Sequence, residues 1–133
     1  MKTYKFYADP GHAWLAVKIV ELLELGIITQ ISNYSYMRGA TAYLEEDCDA
    51  RLFFNSYKDK YNKELTFTYN HTNNRSAIRN YDSYNRNKAL DFAIVAIRML
   101  RDASSEKFMK FIMDYPRIEE LTEGPGRFII GDA

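Results

Sequence analysis

The sequence predicts an α+β fold: a small antiparallel sheet with two short helices, followed by a C-terminal helical extension. Three observations lead there. Two-residue alternation, clearest where Leu65, Phe67 and Tyr69 interleave with Thr66 and Thr68, marks strands. Apolar residues at three- and four-residue spacing mark helices, first through Leu52, Phe53, Tyr57 and Tyr61, later through Leu90, Ala93, Ile94, Ile97 and Leu100. Between these patterns lies Tyr43-Leu44-Glu45-Glu46-Asp47-Cys48-Asp49, four carboxylates and the chain's single cysteine set between apolar runs.

Taken in order, Lys2 to Ala8 alternates and reads as the first strand. Asp9-Pro10-Gly11-His12 carries turn chemistry: Asp bonds its own downstream backbone, Pro fixes φ and Gly accepts positive φ. Trp14 to Val17 is a short second strand, after which Ile19, Val20, Leu22, Leu23 and Leu25 keep helical spacing up to Gly26, a C-cap residue. Ile31 to Tyr36 and Thr41 to Glu45 flank Met37-Arg38-Gly39-Ala40 and predict a β-hairpin. A helix is expected from Cys48 to about Asn62. His71 to Asn87 is poor in aliphatics and rich in Asn, Arg and Tyr; it reads as a long loop or an irregular edge strand.

From Lys88 to Ala103 the apolar face is doubled by Phe92, Val95 and Met99. Such a helix needs cover on more than one side, as a central helix or against a partner subunit. Ser104 or Ser105 caps a further helix bearing Phe108, Phe111, Ile112 and Tyr115 before Pro116 stops it, and Phe128 to Ile130 adds a terminal edge strand. The division this suggests is an α+β part over 1–85 and a helical extension over 86–133, packed on it or on a partner.

At 133 residues with 47% apolar content, the chain has material for a real core, which excludes disorder for most of it. Eighteen basic and eighteen acidic residues cancel, so any attraction to nucleic acid or an anionic membrane must come from a local patch. Cys48 alone forms no internal disulfide, and Met1 to Lys5 leads into alternation, not the apolar core of a signal peptide. Phe92 to Ile97, the longest nearly unbroken apolar run, is far short of the roughly 20 residues that span a bilayer. The cytoplasm is the expected compartment.

The acidic cluster admits two readings. Glu45, Glu46 and Asp47, with His12 or His71, are candidate ligands for a divalent metal, carboxylate and imidazole being its usual donors. The simpler reading is a helix start, where acids meet the positive end of the dipole and Asp47 caps free N–H groups. His12 is likewise a candidate base, against the plainer role of a turn histidine. No catalytic residue and no cofactor is assigned. Ligand contact is best expected from Tyr69, His71, Asn74, Arg75, Arg79, Tyr81 and Arg86: arginines fork onto phosphate or carboxylate, and tyrosine rings stack. The competing expectation is that these arginines pair with the acidic cluster. Gly124-Pro125-Gly126-Arg127 lacks the Gly-Lys-Ser/Thr ending of a phosphate loop and is a turn.

Asp9-Pro10-Gly11-His12-Ala13-Trp14-Leu15, Ile31 to Gly39 with Tyr43 to Asp49, and His71 to Tyr81 together resemble a family of small uncharacterised bacteriophage and prophage proteins, over roughly residues 4 to 84. The resemblance implies a phage accessory protein acting on host machinery or defence. The expected function is thus a non-enzymatic protein that binds and inhibits or sequesters a host protein or nucleotide ligand, as a homo-oligomer and away from membranes. The alternatives are a small metal-dependent enzyme acting on a phosphate ester, or a nucleotide or nucleic-acid binder working through residues 69–86.

Overall fold

The computed structural model describes residues 3–102. The expectations for Ser104, Ser105, the Phe108–Tyr115 stripe and Phe128 to Ile130 lie outside the described residues. Six strands form one sheet: β1 (Thr3–Ala8), β2 (Ala13–Lys18), β3 (Tyr36–Arg38), β4 (Thr41–Glu45), β5 (Thr66–His71) and β6 (Asp82–Ser83), in the order β5-β1-β2-β4-β3-β6. Three helices join them, α1 (Ile19–Glu24), α2 (Asp49–Tyr61) and α3 (Arg86–Asp102). The fold is α+β, as expected, but the sheet is mixed, because β5 runs parallel to β1. A parallel neighbour needs a crossover connection, and the 13-residue α2 supplies it by carrying the chain from β4 to the far edge.

Alternation divides the sheet into two unlike faces. Tyr4, Phe6 and Ala8 of β1 share one face with Leu15 and Val17 of β2 and Leu44 and Ala42 of β4, and all are buried. The helices cover that face with Ile19 and Leu22 from α1, Phe53 and Tyr57 from α2, and Ala89, Phe92, Ala93 and Ala96 from α3. Burying such side chains contributes about 1.5–3 kcal/mol for each large one. Tyr4 meets Phe53 edge-on at 5.5 Å, and its hydroxyl donates to Glu21 Oε2 at 2.6 Å. Burial and that carboxylate hold the Tyr4 phenol far above its ordinary range. The broad apolar surface of α3 thus finds much of its cover inside the chain, against the sheet and α1.

Several boundaries moved for identifiable reasons. The expected strand over Ile31 to Tyr36 gives way to one over Tyr36–Arg38, which takes Met37 and Arg38 out of the expected turn, because Asp49 gathers the preceding residues: Ser32 N–H, Ser32 Oγ and Ser35 Oγ all donate to its carboxylate. Ser35 Oγ in turn accepts from Glu45 N–H at 2.9 Å. Helix α2 takes Cys48, not Asp47, as its N-cap, and it ends at Asn62 with φ 55°. Gly26 follows α1 at φ 75°, as its sequence position suggested, and Gly39 turns the β3–β4 hairpin at φ 59°. Within residues 71–87 the chain forms a 3-10 turn (Ala77–Asn80) and β6. Helix α3 starts two residues earlier than its periodicity indicated, since Asn85 Oδ1 accepts from Lys88 N–H at 3.0 Å.

Candidate functional site

The second face of the sheet carries no helix among the described residues. Pairing brings Lys5, Ala16, Tyr43 and Tyr36 into one row across β1, β2, β4 and β3, with Lys18, Thr41 and Arg38 in the row on one side and Tyr7, Trp14 and Glu45 in the row on the other. Ala16 stands at the centre of this grid with only a methyl group, so the surface dips there. The dip is a concavity of about 280 Å³ lined by Thr3, Lys5, Tyr7, Lys18, Glu21, Thr41 and Tyr43, among others. Glu21 at its rim is already engaged, accepting from Lys18 N–H through Oε1 at 2.8 Å and from the Tyr4 hydroxyl through Oε2. The Tyr43 phenol is pushed up to about 12, chiefly by burial and then by Tyr81 and Tyr7, with Arg38 opposing.

One end of this face is roofed by residues 72–81. Asp9 organises the roof: Oδ1 accepts from Gly11 and His12 N–H at 3.0 Å each, and Oδ2 accepts from Ser76 N–H at 3.0 Å. Arg79 then clamps both oxygens, Nε to Oδ2 at 2.6 Å and Nη2 to Oδ1 at 2.8 Å. Its hydrogen bonds, joined by those backbone donors, hold the Asp9 carboxyl well below the usual carboxylate range. The same guanidinium lies 5.3 Å from the centre of the Trp14 ring, which leaves that indole 2% exposed although it stands on the uncovered face. A Cβ on Gly11 would sit 2.8 Å from Arg79 Nη2, so glycine lets the clamp close. Further along, Tyr81 packs on Tyr43 at 5.2 Å and Arg38 lies 5.0 Å from the Tyr81 ring centre.

The strip singled out from the sequence does not act as a unit. Arg79 and Tyr81 lie over the open face. Tyr69 and His71 occupy the helix-side positions of β5, beyond Phe6 and Ala8. Arg75 is exposed and donates to Asn80 Oδ1 at 2.8 Å, Asn74 N–H donates to Thr72 Oγ1 at 3.2 Å, and Arg86 is the exposed first residue of α3. The arginine partner is Asp9 and not the acidic cluster.

That cluster is dispersed as well. Glu45 is a β4 residue whose Oε2 accepts from Asp47 N–H, Glu46 N–H extends the ladder to Ala13 C=O, and Asp49 turns inward to the two serines. Burial, with Asp47 and Glu45 nearby, raises the Glu46 carboxyl; His12 opposes it. The Cys48 thiol is exposed and pushed up by Asp49. Among the described residues, no group of three His, Cys, Asp or Glu side chains is gathered as a metal would need, His12, Glu45, Glu46 and Asp47 included.

Lys5, Tyr7, Ala16, Lys18, Thr41 and Tyr43 were missed as a site. Their signal was faint but present: each falls on the polar phase of a strand alternation, and Ala16 is the smallest residue on it. No family model, no curated protein and no solved structure matches the chain.

Proposed function

We propose that this protein is a non-catalytic binder of phage type that sequesters a host component, and that the component is a nucleotide-class anion held on the open sheet face. The observation that carries the reading is the dip at Ala16, walled by Lys5, Lys18, Tyr7 and Tyr43. Ammonium groups attract phosphate, threonine hydroxyls complement sugar or phosphate oxygens, and tyrosine rings offer a stacking surface for a base. A concavity of about 280 Å³ lies near the lower end of ligand pockets, roughly 300 Å³, which suits one small molecule and not a folded partner. The balanced overall charge disfavours tracking along a polynucleotide, whereas the exposed Lys5 at the dip offers local positive charge to a small anion. Binding without chemistry is favoured because the rim carboxylate, Glu21, is occupied by a backbone N–H and a phenol.

Calorimetric titration of the purified full chain with ribonucleoside mono-, di- and triphosphates tests this. Saturable binding that weakens with added salt is expected, and Ala16→Trp should fill the dip and weaken it by at least about tenfold, a difference of about 1.4 kcal/mol. Lys5→Glu gives the same readout if the tryptophan variant misfolds. Absence of binding, or binding that both variants leave intact, would overturn the reading.

A further inference from the structure

Helices α1 and α2 border a second hollow, of about 230 Å³, to which each contributes one stripe of side chains. From α2 come Phe53, Tyr57 and Tyr61 at four-residue spacing, and from α1 come Glu21, Glu24 and the C-cap Leu25 at three and four. The rings stand at steep angles and form walls. Tyr57 and Tyr61 are 4.8 Å apart at 57°, and Tyr4 meets Tyr57 edge-on at 6.1 Å and 86°. Tyr57 is buried whereas Tyr61 is 38% exposed, so the hollow has an inner wall and an open lip.

That lip is negative. Glu21 spends Oε1 on Lys18 N–H and Oε2 on the Tyr4 hydroxyl, but the exposed Glu24 accepts the Tyr61 hydroxyl through Oε1 at 2.9 Å and, among the described residues, takes no hydrogen bond at Oε2. Glu24 is the last residue of α1, whose final turn holds no basic residue; a carboxylate there meets the negative end of the dipole, so the helix gives no reason for it. One cation of the chain is already drawn to this mouth. Lys60 Nζ donates to Glu24 C=O at 3.1 Å and lies 5.7 Å from the Tyr61 ring centre. The Tyr61 phenol is pushed up to about 12, first by its hydrogen bond to Glu24 and then by burial.

We infer that this hollow binds a primary alkylammonium group, the chemistry shared by aliphatic polyamines and lysine side chains. Glu24 Oε2 accepts an ammonium N–H, Tyr57 and Tyr61 offer the cation their negative ring faces, and Leu25 and Phe53 cover its methylenes. Charge excludes an anion. A calcium or magnesium ion takes about six oxygen ligands or more, whereas no three His, Cys, Asp or Glu side chains gather among the described residues. A quaternary ammonium would keep the rings but leave Glu24 Oε2 without its hydrogen bond. The volume lies below the roughly 300 Å³ of the smallest usual ligand pockets, so one chain end enters. Glu24, Tyr57 and Tyr61 do not line the dip at Ala16, and the inference is independent of the nucleotide reading.

NMR titration of the full chain at constant ionic strength tests it, with diaminobutane and Nα-acetyl-lysine amide as probes and tetramethylammonium as control. Saturable shifts of the Tyr57 and Tyr61 ring resonances are expected with at least one of the two amines, and the tighter binder identifies the source of the ammonium. Tetramethylammonium should bind more weakly. Glu24→Gln, at an exposed position and still able to accept from Tyr61, should leave the circular dichroism unchanged and weaken amine binding by about fivefold, the upper end for an exposed ion pair. No saturable shift with either amine, equal affinity for tetramethylammonium, or binding that Glu24→Gln leaves intact would each overturn the inference.

Discussion

Arg79 holds Asp9 with two parallel hydrogen bonds across 70 positions of sequence, Nε to Oδ2 at 2.6 Å and Nη2 to Oδ1 at 2.8 Å. The pair ties the first turn of the chain to the roof over the sheet, and Trp14 is sealed beneath it. Asp9 and Arg79 therefore serve the shape of the open sheet face, on which the dip at Ala16 also lies.

The clamp predicts an acid limb in the stability profile. Asp9 is held below its unfolded value, so its contribution is fully present above about pH 4 and is lost as pH falls from there. Urea midpoints measured from neutral to acid pH should drop for the wild type, while Asp9→Asn should begin lower and lose much of that slope. Parallel curves for the two proteins would contradict the assignment. Arg79→Lys keeps the charge but not the fork, and should expose Trp14 to fluorescence quenchers.

Asp49 is buried and anchors Ser32 and Ser35. Asp49→Ala leaves the fully buried Ser35 O–H without its acceptor, although Ser35 Oγ still accepts from Glu45 N–H, and should lower unfolding free energy by about 1–3 kcal/mol. Asp49→Asn, which keeps an acceptor, should lose less. A loss within about 0.5 kcal/mol for alanine, the range of ordinary surface substitutions, would mean that the segment before β3 is held by other means.

Gly26 isolates a backbone effect. A Cβ there meets nothing within 4 Å, yet φ is 75°. Gly26→Ala should cost about 1–2 kcal/mol through conformation alone, read from the denaturation midpoint. An unchanged midpoint would show that α1 ends in some other way.

Tyr43 predicts an alkaline limb. Its phenol keeps the proton up to about 12 when folded, against 10.0 ordinarily, so stability falls as pH rises through that interval. Tyr43→Phe should flatten the decline between those values in alkaline unfolding curves. Spectrophotometric titration of the folded wild type should show one fewer tyrosine ionising near its ordinary pH than the same titration in denaturant, once the other raised phenols are allowed for.

Much of the fold was legible because local chemistry points one way. Asp9-Pro10-Gly11-His12 turns as its residues demand, Gly26 and Gly39 adopt the positive φ their places called for, and Leu65 to Tyr69 alternates as a strand should. Asp49 was the instructive failure. An acid at a helix start reads as dipole chemistry, but its carboxylate reaches back to serines 14 and 17 positions earlier, and no local period reports that. The site failed for the same reason: Tyr69, Arg75 and Arg79 are close in sequence yet turn to different surroundings, while Lys5, Ala16 and Tyr43 are distant in sequence and neighbours in the sheet.

By itself, the sequence determined the fold class, the positions of the turns, the periods of the elements and the balance of charge, since each of these depends on residues within a turn or two of one another. Only the tertiary structure decided that β5 lies parallel to β1 at the sheet's edge, that Arg79 answers Asp9, and that Ala16 sits between Lys5 and Tyr43. Strand order and side-chain partnership are chosen by which apolar faces bury each other best, and that choice is made between segments tens of residues apart.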